Sequence, residues 1–286
     1  MRKTHLGGNI MSYLQMRCGR KLYYTEEGTG KPVVFIHGWK ASADVFTTPS
    51  QLLTQSGNYR CIRYDQCGHI RSEATVQPPD LGVLAEDLHE LIKQLHLIKP
   101  ILVGWSMGGL TILEYLRRYG SNMLDRIVLV DIGPKAINDD RWPFLRNGVA
   151  STVEKLEEEV ALMQKDFREF LRRYYCRMRP GFRDLTTSEQ DKIIHARLLG
   201  YNETVLTGLW QSIGQRDYLD VLGTIQCPTG IFHAGLLPAC PKEVAAYYAE
   251  HIPAPTHIVC FENASHSLIS EQTEKFVAEL QCFFER

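Results

Sequence analysis

The sequence predicts an α/β fold, a mostly parallel central sheet with helices on both faces and an inserted helical subdomain. Three observations carry that prediction. Short apolar runs, each ending in a Gly- or Asp-rich corner, recur along the chain, as strands buried on both faces do. Between them lie segments whose apolar residues repeat every three or four positions, the spacing of amphipathic helices. From about residue 134 to about residue 222 the strand pattern stops and helical spacing takes over.

Along the chain, Leu22-Tyr23-Tyr24-Thr25-Glu26 followed by Gly28-Thr29-Gly30 reads as an edge hairpin. Pro32-Val33-Val34-Phe35-Ile36 is a buried strand running into His37-Gly38-Trp39, and Tyr59 to Asp65 is the next strand. Leu84, Leu88, Leu91, Ile92 and Leu95 mark one side of a helix over 84–95. Ile101 to Gly109 followed by Leu110 to Leu116 reads as strand, sharp turn and helix, with Gly120 as its stop. Arg126 to Val130 is another strand, ending at Asp131-Ile132-Gly133-Pro134. In the insertion, Val153, Leu156, Val160, Met163, Phe167, Phe170, Leu171 and Tyr174 follow one another at helical steps. Strands resume at 227–233 and 257–261, and Glu274 to Phe284 is a closing helix. The expected division is an N-terminal extension, 1–19, a core over 20–134 and 222–286, and a helical subdomain over 135–221.

Composition excludes several functional classes. The 286 residues are 44% hydrophobic and 23% charged, near the average of globular proteins and far from disordered chains. Lys+Arg 32 against Asp+Glu 33 gives a net charge of −1, without the basic excess that a nucleic-acid partner calls for. No apolar run reaches the roughly 18 residues of a membrane span, and the first twenty residues lack the apolar stretch of a secretory signal. The expectation is a cytoplasmic protein with neither a nucleic-acid nor a membrane partner. The eight cysteines, at 18, 61, 67, 176, 227, 240, 260 and 282, form no CxxC pair and no Cys/His metal pattern. They are expected to be free thiols, several of them buried, with no metal and no cofactor. The sequence sets no oligomeric state.

The chemistry concentrates at Gly104-Trp105-Ser106-Met107-Gly108, a G-x-S-x-G elbow in the strand-to-helix context that this motif requires. Glycines two before and two after the serine let the two backbones approach, so that the hydroxyl stands above the sheet edge. The Met107 N–H, at the positive end of the helix, and the Trp39 N–H, in the loop after the preceding strand, are the expected oxyanion donors. Ser106 needs a base, and His266, in the loop after the last strand, is the histidine placed to supply it. Asp131, at a strand's C-terminal end, is the candidate acid and gives the order Ser…Asp…His; its other reading is a residue fixing the following loop. The Trp105 side chain reads as packing beneath the elbow. Trp142, Phe144, Tyr174, Tyr175 and Trp210 could line a pocket or form helix-to-helix core, and Glu157-Glu158-Glu159 reads as a solvated face.

These residues resemble the α/β-hydrolase family, and within it the serine esterase and perhydrolase-like branch. The resemblance covers most of the chain, roughly 20–134 and 222–286, and it makes 135–221 the variable cap. It implies that His37-Gly38-Trp39 is the oxyanion loop, Ser106 the nucleophile and His266 the base. Asp65 to Ser72 looks like a D-x-R-G-x-G-x-S loop in which Cys67 and Ile70 replace Arg and Gly. The family most often carries its acid in a G-x-x-D-x-x-x-P segment. Here 234–241 offers no carboxylate, with Leu237 at the expected place, and Asp131 fits the variant with the acid one strand earlier.

The function this implies is cofactor-free hydrolysis of a small-molecule carboxylic ester, lactone or thioester through an acyl-enzyme intermediate. The alternatives are other Ser-triad chemistry in the same fold, namely perhydrolysis, C–C bond hydrolysis or amide cleavage, or a non-catalytic ligand-binding protein.

Overall fold

The structure is a computed structural model and describes residues 4–6, 9–144, 151–236 and 238–286. Its centre is a nine-stranded sheet: β1 (Thr4–Leu6), β2 (Asn9–Gln15), β3 (Lys21–Gly28), β4 (Lys31–Ile36), β5 (Tyr59–Tyr64), β6 (Ile101–Trp105), β7 (Arg126–Val130), β8 (Thr229–Ala234) and β9 (Thr256–Phe261). The spatial order is β1-β2-β3-β5-β4-β6-β7-β8-β9. The strands from β5 to β9 are parallel, whereas β1, β2 and β3 join antiparallel.

The side-chain period of two assigns each strand residue to one face or the other. Val34, Ile36, Ile62, Leu102 and Leu129 enter one apolar cluster, and Val33, Phe35, Cys61, Val103 and Val130 enter the second. The first is covered by α2 (Leu81–Gln94), α3 (Met107–Tyr119) and α9 (Glu243–His251), the second by α1 (Thr47–Thr54) and α11 (Thr273–Phe284). Side-chain caps start the helices: Asp80 accepts the Val83 N–H of α2 at 3.0 Å.

One reading of the sequence is corrected here. The segment 22–30 is not an edge hairpin: β3 pairs with β2 on one side and β5 on the other, not with β4. The reason is that residues 9–15, within the stretch marked as an extension, supply the strand that covers β3. The long apolar series in the insertion is two helices, α4 (Val153–Lys165) and α5 (Phe167–Met178). Asp166, at φ −152 and ψ 86, ends the first, and its side chain caps the second by accepting the Glu169 N–H. The insertion continues with α6 (Thr187–Leu198), α7 (Glu203–Gln215) and α8 (Leu219–Leu222), and its apolar faces run into the first cluster.

The chain leaves β4 toward β5 on one side and returns to β6 on the other, so strand order reverses between β4 and β6. Crevices outside the C-terminal ends of strands form at such a switch point. The loops there are His37-Gly38-Trp39 after β4 and Ser106 after β6.

Candidate active site

Ser106 joins β6 to α3 at φ 54 and ψ −122, a backbone state that costs a non-glycine residue about 1–3 kcal/mol. The flanking glycines have a measurable steric cause. A Cβ on Gly104 would lie 2.5 Å from the Gly108 carbonyl oxygen, and one on Gly108 would lie 2.1 Å from the Ile36 carbonyl oxygen. Across the crevice, a Cβ on Gly38 would lie 3.0 Å from Ser106 Cβ, so the loop after β4 reaches the serine only because residue 38 has none. Ser106 itself is half-buried.

Asp131 and His266, 135 positions apart, meet: His266 Nδ1 donates to Asp131 Oδ2 at 2.6 Å. Asp131 follows β7 at φ 49 and is almost fully buried. Its carboxylate also accepts the Ala239 N–H on Oδ2 at 2.8 Å and the Ala234 N–H on Oδ1 at 3.2 Å. The register of β7 against β8 delivers these donors, since the Asp131 N–H itself reaches the Phe232 carbonyl at 2.7 Å. Leu237, in the segment where the family most often carries its acid, lies outside the described residues. The Ser106 hydroxyl is not hydrogen-bonded to His266 in this structure. Such contacts are often long without substrate and tighten only in the bound complex.

The His266 loop is held from two sides. The Trp105 indole N–H donates to the His266 carbonyl at 2.9 Å, and the two rings lie 5.3 Å apart. Trp105 is therefore partly exposed: it packs against the second apolar cluster, as the sequence suggests, and also lines the cavity and positions the histidine. On the other side, Glu271 accepts the Ser265 N–H and the Ser265 hydroxyl, each at 2.6 Å. Sequence reasoning missed both roles: a carboxylate five residues past a histidine, and a tryptophan before a serine, carry no periodic signal.

The loop after β4 is equally fixed. His37 is fully buried, donating from Nδ1 to the Gly38 carbonyl at 2.8 Å and accepting the Gln66 N–H on Nε2 at 2.9 Å. Burial lowers its pKa, so it is a neutral structural imidazole. The Gln66 side chain ties the His37 carbonyl at 2.6 Å to the Thr111 hydroxyl of α3 at 2.8 Å. Among the described residues neither the Trp39 N–H nor the Met107 N–H donates to another protein group. The Trp39 indole donates instead to the Leu206 carbonyl of α7 at 2.9 Å, and its ring packs on Phe170, Tyr174 and Trp210.

In the 65–72 loop, Asp65 accepts the Ala43 N–H at 2.7 Å and the Arg71 Nε–H at 2.6 Å. Cys67 is fully buried, and Ile70 stands at φ 38 where the resembled motif has glycine. A Cβ on Gly200 would sit 3.4 Å from Ile70 Cδ1, so the bulkier residue meets the helical insertion there.

Of the insertion's aromatics, Trp142 and Trp210 are fully buried and Phe144 packs on Trp142, whereas Tyr174 and Tyr175 line a cavity of about 700 Å³. Trp39, Trp105 and His266 form its sheet side. The run 157–159 is not uniformly solvated: Glu159 pairs with Arg177 at 2.9 Å and accepts the Trp210 indole N–H at 2.9 Å. No cluster of His, Cys, Asp and Glu among the described residues could hold a metal ion, and no described helix is long and apolar enough to cross a membrane.

A family model described as the alpha/beta hydrolase fold matches residues 31–174, half of the chain. The chain belongs to that family, and its class is that of a hydrolase. Non-heme chloroperoxidase CPO-A1 of Kitasatospora aureofaciens is 27% identical over 284 residues, 94% of this chain and 98% of its own. A pimeloyl-[acyl-carrier protein] methyl ester esterase of Aliivibrio fischeri is 26% identical over 270 residues, 92% of this chain and 96% of its own. Among solved structures, an esterase from Exiguobacterium antarcticum superposes with a TM-score of 0.81 at 25% identity, covering 96% of this chain and 99% of that one.

Proposed function

We propose that this chain hydrolyses a carboxylic ester, lactone or thioester of a small molecule through an acyl-enzyme on Ser106. The observation that carries this is the His266–Asp131 hydrogen bond at 2.6 Å, at the sheet edge that also bears the strained serine. With Nδ1–H given to Asp131, the free His266 Nε2 is the basic nitrogen, the tautomer needed to take the Ser106 proton. Ser106 Oγ adds to the acyl carbonyl, and the oxyanion is received by the unengaged N–H groups of Met107 and Trp39. The imidazolium then protonates the leaving alcohol or thiol. Water enters, His266 takes its proton, the acid departs and Ser106 is restored.

In this reading Asp131 orients His266 and stabilises its charged form, and 135–221 is the cap that closes the acyl and alcohol sites. The buried contact at Asp131 favours an enzyme over a ligand-binding relative. The cysteines of the described chain are free, several of them buried, which fits a reducing cytoplasm.

The experiment is intact-mass analysis after a fluorophosphonate. One adduct, mapped to Ser106 and absent in Ser106→Ala, together with ester turnover lost in that variant, is the expected result. No adduct, or turnover that survives Ser106→Ala, overturns the proposal. The similarity to a chloroperoxidase favours one second reading, in which hydrogen peroxide replaces water at the acyl-enzyme and releases a peracid. Peracid formation from acetate and peroxide, lost in Ser106→Ala, distinguishes it.

A further inference from the structure

The cavity over His266 has an imbalance of charge that hydrolysis alone does not use. Three cations line it: Lys40, the residue after Trp39, Arg179, just past α5, and Arg197, near the end of α6. Among the described residues none of the three has a carboxylate partner. Lys40, at φ 52, donates to the Arg197 carbonyl at 3.3 Å and lies 5.3 and 5.4 Å from the ring centres of Tyr175 and Tyr201.

Three arginines of α5 itself behave differently, while Arg168, the fourth, lies against His195 at 3.4 Å. Arg172 pairs with Glu169 and Asp191, Arg173 with Glu169 and Arg177 with Glu159. One carboxylate faces the cavity, that of Glu271, and both its oxygens are engaged by Ser265. Burial, reinforced by Arg197 and Arg179, brings the Lys40 ammonium down to about 7, so the cluster lacks an anion that would restore its charge.

We propose that the substrate of this site is an ester whose acyl or alcohol part carries a carboxylate, held by Arg179, Arg197 and Lys40 while the ester reaches Ser106. This rests on the hydrolytic reading above, because it takes the cavity as the substrate site. Guanidinium forks pair with a carboxylate through charge-assisted hydrogen bonds, and apolar Met178, Pro180 and Ile269 in the lining of the same cavity fit a methylene spacer. The three cations come from the loop after β4 and from two segments of the insertion, so the anion would be gripped across the junction of sheet and helices.

The test compares monomethyl adipate with methyl hexanoate, which share an acyl chain length and differ at its far end, by methanol release. The expected result is a kcat/KM at least ~10-fold higher for the carboxylate ester at low ionic strength, falling as salt is added. In Arg179→Gln/Arg197→Gln that ratio drops to about 1, and in Arg179→Lys/Arg197→Lys it is largely retained. Taking a ratio of two esters in the same protein cancels any loss of folded enzyme.

Equal or better turnover of methyl hexanoate, or a ratio that the glutamine variant leaves in place, overturns the proposal. Calorimetric binding of the same two esters to Ser106→Ala separates it from the hydrolytic reading. Salt-sensitive binding of the adipate ester alone supports the anion site even in a protein that cleaves neither ester. Equal binding, or binding of neither, refutes the site whatever the fate of Ser106.

Discussion

Replacing Asp131 by Asn and by Ala separates the two jobs that a carboxylate performs at this position. Oδ2 accepts two short bonds, from His266 Nδ1 at 2.6 Å and Ala239 N at 2.8 Å, whereas Oδ1 accepts one at 3.2 Å from Ala234 N. An asparagine must put its NH2 on one side. Set toward Oδ1 it opposes a single long donor, and set toward Oδ2 it opposes two short ones. The amide oxygen therefore stays on His266, the tautomer survives, and what is lost is charge.

Exchanging a charge-assisted for a neutral hydrogen bond removes ~1–2 kcal/mol. Unit charges ~4 Å apart at an effective dielectric near 20 set an upper limit of ~4 kcal/mol. The expected fall in acylation rate for Asp131→Asn is thus about 5- to 30-fold and no more than ~10³. Asp131→Ala removes the acceptor itself, frees the imidazole and strands the Ala234 and Ala239 amides, with a loss nearer ~10⁴. Stopped-flow release of nitrophenol in the first turnover reads the acylation step, with thermal unfolding as the check on folding. An asparagine variant as slow as the alanine variant refutes the orientation argument, and an alanine variant within tenfold of the parent removes Asp131 from the mechanism.

Gly108→Ala places a methyl group 2.1 Å from the Ile36 carbonyl oxygen, backbone that cannot step aside; the expected cost is at least ~3 kcal/mol, read as a Tm drop of roughly 6 °C or more. Trp105→Phe keeps the ring but loses the bond to the His266 carbonyl. It should lower kcat/KM by about 2- to 10-fold with little change in Tm. Glu114 is fully buried on α3; burial alone would raise its pKa, but hydrogen bonds from Arg117 and Arg118 prevail and hold it at about 2 against an ordinary 4.5. Folding therefore favours its ionised form, and the stability this confers is complete above 4.5 and lost as pH falls toward about 2. Denaturant midpoints of the parent and Glu114→Gln should converge between pH 5 and pH 3, and a gap that stays constant over that range rejects the argument.

The core strands were legible because each is apolar on both faces and ends in a turn residue, and the elbow because Gly104 and Gly108 are sterically obligatory. Pairing partners were less so. Nothing local in residues 9–15 announces that they cover β3, because register is a property of two segments and the sequence displays one at a time. Asp131 was readable from chain order, but its contact with His266 depends on β7 lying beside β8, which hydrophobic pattern does not encode. Three consecutive glutamates look like a wet helix face until α5 and α7 present Arg177 and Trp210 to the last of them. Lys40 gave no signal at all, since its character comes first from burial in the assembled fold and then from arginines about 140 and 157 positions away.

The bond from the Trp39 indole to the carbonyl of Leu206 crosses from the loop that bears one proposed oxyanion donor to a helix of the insertion. An outward shift of that helix with the tether intact would carry the loop, and the Trp39 N–H with it, away from Ser106. The bond thus makes the station of that N–H depend on where the insertion sits, whereas parting it would leave the loop to the hold of His37 and Gln66.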